Sequence, residues 1–366
     1  METIYFIIFA LAFVITIPLG SRKLAYANDE EYAMDYYALR GVNSSHRVAA
    51  YVAFAVLLCM MVLYCAYKPL YIADNAMYEY LYRLNGSRTI HKELEVTFGI
   101  ISRISPTFMI LLAIYGLLSI GMHLYAILRN SPNIMLSTVI YMSLFFVLHD
   151  VIQIRAGVAL AIMMFAIRYI YERKWQIYFP LVFLAILFHN SAVVFLPFYF
   201  MPHQNLNRYV WGGILMVALI LGLLGYQIGS LSRFIPLGII ESYVESYMDN
   251  KEYAPSNTPS YMRMVARALE CIIGLVMIIR YKTIQEHYPY AVICIQMFVF
   301  SEIFYLLCGD IPVLQNRMGE LFGTFNIFAL AMFPMVSRKH YYILMAVPLL
   351  YAAIHTGDSL RMLLPL

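Results

Sequence analysis

From Ile134 to Leu148, and again from Ala156 to Ile167, the chain carries no charged side chain. Runs this long and this apolar leave few folds open. A bilayer solvates them, provided that each segment bonds its own backbone N–H and C=O groups. Similar segments recur at about 4–20, 48–66, 107–128, 134–149, 155–171, 175–188, 191–201, 210–228, 261–279, 289–308, 320–336 and 341–355. They are continuous rather than alternating, which selects helices over a membrane β-barrel. Composition agrees, with 62% of 366 residues hydrophobic and 13% charged, against about 25% charged in an ordinary soluble domain. The expectation is an all-α, polytopic integral membrane protein of about twelve transmembrane or re-entrant helices, built as a single domain over residues 1–366. A net charge of +4 says little about partners, and nothing points to nucleic acid. Cys59, Cys65, Cys271, Cys294 and Cys308 lie in or beside apolar segments without metal-like spacing, so they read as buried thiols rather than a disulfide framework.

The opening "METIYFIIFALAFVITIPLG" has no basic residue ahead of its apolar core, and Arg22 and Lys23 follow it. That polarity predicts a retained first helix with an external N-terminus and a cytoplasmic basic end. Segments 175–188 and 191–201 are each shorter than the roughly 20 residues of a simple span, and "FHNS" separates them. They are either one long helix containing His189 or a broken pair meeting there. Counted as two passes, they leave Arg22/Lys23, Arg40, Arg47, Arg129, Arg173/Lys174, Arg208, Arg280/Lys282 and Arg338/Lys339 on cytoplasmic linkers. The tight linkers are basic on that side alone, as the positive-inside rule requires. The external side collects what no span needs: loops 68–95 and 229–260, the turn 308–320, the corner Asp150–Arg155 and the break at His189. Loops 68–95 and 229–260 are expected beside an active site.

Within "HDVIQIRAG", Arg155 stands between two apolar runs. A charge at the bilayer centre costs about 2.5–3.5 kcal/mol or more. Either Arg155 is a membrane-edge residue paired with Asp150, or it holds an anion at a helix N-terminus. Arg263 and Arg267 lie one helical turn apart, where like charges repel unless an anion or partners such as Glu270 and Glu245 intervene. Arg317 in "QNRMGE" either completes a cationic cage or pairs with Glu320 at i+3. His189 is a structural imidazole or a proton shuttle. Asp74, Glu79, Glu93 and Glu95 lie among Tyr71, Tyr78, Tyr80 and Tyr82, a mixture that suits sugar hydroxyls and apolar sugar faces, although tyrosines also crowd membrane interfaces. An apolar stripe of Ile240, Tyr243, Val244 and Tyr247, with Glu241, Glu245 and Asp249 on another face, predicts an interfacial helix over 234–248. No paired-histidine or carboxylate-rich metal pattern is present.

"ADNAMYEYLY", "ELEVTFGIIS", "IQIRAGVALAI", the basic "ERK" and "LAILFHNSAVVFLP", in that order over about residues 70–200, resemble the EpsG family, and "QNRMGELF" resembles the family's later arginine region. These are polytopic Wzy-type proteins that polymerise bacterial surface polysaccharides. The resemblance implies a GT-C-like lipid-sugar glycosyltransferase architecture in the bacterial plasma membrane, with its active site facing the periplasm or cell exterior. It implies an undecaprenyl-diphosphate-linked oligosaccharide as substrate, with no metal and no cofactor. Arg155 and Arg317 would then meet the diphosphate, with Arg263 and Arg267 as a further clamp. His189, Asp74 or Glu95 would receive the acceptor proton, and Tyr78, Tyr80 and Glu79 would hold glycan. Membrane lipids, a chain-length regulator and a flippase are the expected partners. A lipid-linked glycan ligase, a membrane sugar O-acyltransferase and a polysaccharide flippase or transporter are the competing readings.

Overall fold

The computed structural model describes residues 1–20, 44–86, 95–226, 260–309 and 311–364. The secondary structure in these residues is helical, and they contain no strand. Among the described residues, four helices are long and apolar enough to cross a membrane: α5 (Phe108–Asn130), α6 (Ile134–Ile152), α7 (Ile154–Tyr171) and the C-terminal Arg338–Arg361. A fifth arises if the pair Leu314–Gly323 and Asn326–Val336, bent by 52° at its break, is taken as one span. Among the described residues, the helices that meet both length and composition thus number four, or five with the bent pair, beside several shorter apolar helices. Shorter apolar stretches include Trp175–Phe188, Arg208–Leu223 and Ala291–Leu307, whereas Glu2–Gly20 and Ser44–Ala66 run to 19 and 23 residues.

The centre of the bundle is α6 and α7, whose apolar windows are 89% and 72% buried, against 17% for the C-terminal span. Around them, α5 packs on α2 (Ser44–Ala66) and on α7, while α1 (Glu2–Gly20) packs on the first half of α6. Asn133 starts α6 by accepting the Leu136 N–H at 3.1 Å, and Thr107 starts α5 by accepting that of Ile110 at 3.3 Å. Such caps satisfy donors that a helix start otherwise orphans. Beyond Ile140 the α6 helix widens to a π-helix over Tyr141–Ile152. Gln153 at φ −90°, ψ 58° then turns the chain into α7. That corner is very tight. A Cβ on Gly157 would lie 2.5 Å from the His149 carbonyl oxygen and 2.7 Å from Ser119 Oγ, so only glycine lets α5, α6 and α7 meet there.

His189 is the tip of a re-entrant hairpin, not a point inside one long helix. Helix α8 (Trp175–Phe188) ends there, His189 is extended at φ −153°, ψ 113°, and the chain returns as a 3₁₀-helix over Asn190–Phe200. The two limbs run antiparallel: Tyr178 donates to the Phe195 carbonyl at 2.7 Å, and the Phe179 and Tyr199 rings lie 5.3 Å apart. Arg173 closes the base by donating to the carbonyls of Tyr199 and Met201.

The bundle thus has two chemically distinct ends. At one, Arg173 meets His203, Arg280 Nε donates to the Val336 carbonyl at 3.0 Å, and Arg338 pairs with Glu286 at 2.7 Å. Asn130 joins this end, its carbonyl accepting from Tyr288 at 2.8 Å. At the other end lie the first residues of loop 68–95, the α6–α7 corner and the His189 tip. Loop 229–260, the 234–248 stripe and the linker holding Arg22, Lys23 and Arg40 fall outside the described residues, apart from Ser260 at the start of α10 (Ser260–Ile279).

Candidate active site

A cavity of about 130 Å³ opens at the His189 end of the bundle. Its walls come from elements far apart in sequence. Asp74 and Tyr78 come from the start of α3 (Asn75–Gly86), His149 and Gln153 from the α6–α7 corner, and Arg155, Ala156 and Leu160 from α7. His189 comes from the hairpin tip, and Asn316, Arg317, Glu320 and Leu321 from α13 (Pro312–Gly323).

Glu95 organises one wall. It is the N-cap residue of α4 (Val96–Ile104) and forms an ion pair with Arg155, while its Oε1 lies 3.5 Å from His189 Nδ1. Thr97 donates to the Leu187 carbonyl at 2.8 Å, fastening α4 to the hairpin limb that ends at His189. The Arg155 guanidinium also lies 5.4 Å from the centre of the Tyr78 ring and 5.9 Å from that of Phe98, favourable cation–π positions. Burial alone would raise the Glu95 carboxyl. The nearby His189 imidazole and the Arg155 charge outweigh it and hold the group below the ordinary glutamate range. Arg155 Nε is buried and has no hydrogen-bond partner, so the fork keeps a donor beyond those Glu95 occupies.

Asp150 is not the partner of Arg155, which corrects that alternative. Its carboxylate turns the other way, accepting from Tyr141 at 2.6 Å and from Ser119, with His123 Nδ1 at 3.3 Å. All four groups are buried. Lys68, at the start of the loop, donates to the Val151 carbonyl and anchors that loop to the same corner. Burial lowers its ammonium to about 8.

Arg317 is exposed and forms no ion pair with any described residue. Glu320, its i+3 neighbour, instead accepts from Gln153 Nε2 at 3.2 Å, so the local Arg317–Glu320 pair is not formed. What places α13 here is Gly319. A Cβ on it would lie 2.6 Å from the Tyr305 ring of α12 (Ala291–Leu307). Ser301 donating to the Gly319 carbonyl at 2.8 Å fixes the same crossing.

Other expected site residues stand apart from the cavity. Arg267 on α10 lies 2.7 Å from Glu270 and 3.6 Å from Glu302, over the Tyr305 ring at 4.1 Å. Tyr351 donates to Glu270 at 2.5 Å. That arginine is already matched by carboxylates. Nothing is described of the Arg263 side chain. On α3, Tyr80 is 62% exposed on the outer face and Glu79 pairs with Arg83 at 2.6 Å, while Tyr78 alone of the three lines the cavity. Cys59 is exposed; the other four thiols are buried, and all five are free.

His149, Asn316, Gln153 and Glu320 were not singled out from sequence as ligand-binding groups. His149 is fully buried, stacked on Phe145 at 5.5 Å and 6°, with neither ring nitrogen hydrogen-bonded. The available signal was adjacency: all four lie in the same short polar windows as Arg155 and Arg317. Among the described residues, no three His, Cys, Asp or Glu side chains gather as metal ligands would.

Searches of the curated proteins and of the solved structures return no match. The family model described as "EpsG family" matches residues 51–359, a stretch that runs from α2 to near the C-terminus and includes every residue on the cavity wall. With most of its length matched, the chain belongs to the EpsG family.

Proposed function

We propose that this protein polymerises polyprenyl-diphosphate-linked oligosaccharide repeat units at the external face of a bacterial plasma membrane, as a single multi-pass domain of GT-C-like architecture. Membership of the EpsG family supports a role in polysaccharide biosynthesis. The observation that carries the finer reading is that Arg155, Arg317 and His189 share one cavity. This cavity lies at the end of the bundle opposite Arg173, Arg280 and Arg338. By the positive-inside rule that basic end is cytoplasmic, so the cavity faces outward.

The acceptor hydroxyl oxygen attacks the anomeric carbon of the donor glycan. A new glycosidic bond forms, the bond from carbon to diphosphate oxygen breaks, and the diphosphate leaves with that electron pair. Arg155 and Arg317 stabilise charge growing on the leaving group. Preorganised donors in a dry site are worth most at that moment. His189 receives the hydroxyl proton. With Nδ1 facing Glu95, Nε2 is the nitrogen left for it. Glu95 stays ionised and holds both Arg155 and His189 in position. Asp74 and Tyr78 line the outward route along which the glycan extends, and the prenyl chain stays in the bilayer.

A ligase would use the same donor and the same arginines. A flippase would place its charges about a midplane cavity, whereas here they gather at one end. The deciding experiment supplies purified protein with the lipid-linked repeat unit. A polymer ladder with released undecaprenyl diphosphate is expected; transfer to a different acceptor, or no product at all, would reject polymerisation.

A further inference from the structure

Helix α13 brings three polar side chains to the cavity wall, and only Arg317 has a task in the steps above. The other two are Asn316 and Glu320. Glu320 follows Asn316 by four positions and Arg317 by three, so the three share one side of the helix. Contacts on the neighbouring face fix the rotation of α13 about its axis. Gln315 Nε2 donates to the Tyr305 carbonyl at 2.7 Å, Ser301 donates to the Gly319 carbonyl at 2.8 Å, and Gly319 lies against the Tyr305 ring. The polar side therefore stays on the cavity.

Glu320 is held with one oxygen to spare. Its Oε2 accepts from Gln153 Nε2 at 3.2 Å, a bond that reaches across from the α6–α7 corner and keeps the carboxylate from closing onto Arg317. Its Oε1 has no hydrogen-bond partner among the described residues and, unlike the ring nitrogens of His149, is not sealed from the cavity. The Asn316 amide also bonds to no described residue, and both side chains keep part of their surface open. An ionised carboxylate only accepts hydrogen bonds, whereas an amide both donates and accepts. Charge then sorts what can lie where. A diphosphate drawn to Arg155 and Arg317 is repelled by Glu320, so what faces Glu320 must bring O–H or N–H donors instead. The sugar joined to the diphosphate carries such hydroxyls. We propose that Glu320 and Asn316 form the donor-sugar subsite, the carboxylate accepting from hydroxyls of the sugar next to the diphosphate and the amide pairing with their neighbours. The cavity thus divides its work between arginines that read the diphosphate and a carboxylate–amide pair that reads the sugar. This division rests on the polymerase reading, because the sugar arrives on the same carrier.

The test is a binding measurement, independent of turnover, on the purified full chain in detergent, in mildly alkaline buffer so that the carboxyl is ionised. Two probes are compared: undecaprenyl diphosphate alone, and the lipid-linked repeat unit purified from the producing cells. Glu320→Ala removes the acceptor; Glu320→Gln keeps the shape and an oxygen for Gln153 but loses the charge. Glu320→Ala is expected to weaken the repeat-unit lipid by about tenfold or more, the scale of a lost hydrogen bond to a charged group. Glu320→Gln and Asn316→Ala weaken it by smaller factors, and none of the three weakens undecaprenyl diphosphate. Should Glu320→Ala fail to fold, the isosteric Glu320→Gln decides by the same comparison. Equal weakening of both probes would mean that Glu320 only seats α13, and that result overturns the assignment. A wild-type chain that binds neither lipid removes the polymerase reading and this one with it. A wild type that binds both lipids, matched by its Glu320 variants, removes this one alone.

Discussion

Arg155 and Arg317 share a cavity but are held in opposite ways. Arg155 is braced by Glu95, Tyr78 and Phe98, whereas Arg317 has no ion-pair partner among the described residues. The Glu95 bracing has a pH signature. Its folded-state value lies below the ordinary glutamate value of about 4.3. The stability it contributes is therefore complete above that value, and is lost as pH falls through the lower folded value. Thermal unfolding measured across the acid range should show Glu95→Gln closing the gap to wild type as pH drops. A constant gap down to the lowest folded pH would mean that the ion pair is not what shifts this carboxyl. At this scale the arginines, His189 and Glu95 were legible from sequence, because a charge or imidazole between apolar runs is conspicuous. Their partners were not. Asp150, only five positions from Arg155, turns toward α5, while Glu95, sixty positions away, supplies the ion pair.

The element that matters most is the corner between α6 and α7. It depends on Gly157, with the His149 carbonyl and Ser119 Oγ closer than any side chain tolerates. Gly157→Ala should lower stability by about 1–3 kcal/mol, the usual cost of overpacking. Activity should fall further than stability, because the shift moves His149 and Arg155 together. Unfolding temperature and polymerisation rate on the same preparation check this, and a fully active, equally stable variant would show that the corner is looser than described. The break at His189 was visible in the sequence as two short segments, but their hairpin geometry was not. The pairing of Tyr178 with the Phe195 carbonyl, and of Arg173 with the base, needs coordinates. The π-helical turn of α6 left no pattern in a uniformly apolar run.

For the whole molecule, long apolar runs announced a helical membrane protein, but they did not separate full-length spans from shorter helices. Hydropathy cannot tell a complete crossing from a short helix packed among others, as the 14-residue α8 illustrates. The two-ended charge distribution predicts topology directly. A cysteine at Tyr80, on the outer face of α3 at the cavity end of the bundle, should react with an impermeant thiol reagent in intact cells, and one at Lys339 only after lysis; both positions are exposed. The reverse pattern would put the cavity on the cytoplasmic side and exclude an external polymerase. Most direct of all is the initial polymerisation rate of Arg317→Ala. This side chain makes no ion pair with any described residue, so its effect reports on the cavity rather than on the fold around it. Losing one preorganised donor to a leaving group costs about 10²–10³ in rate. The rate should fall by about that factor with unfolding temperature unchanged. A variant within about twofold of wild type, well outside that range, would mean that the chemistry happens elsewhere.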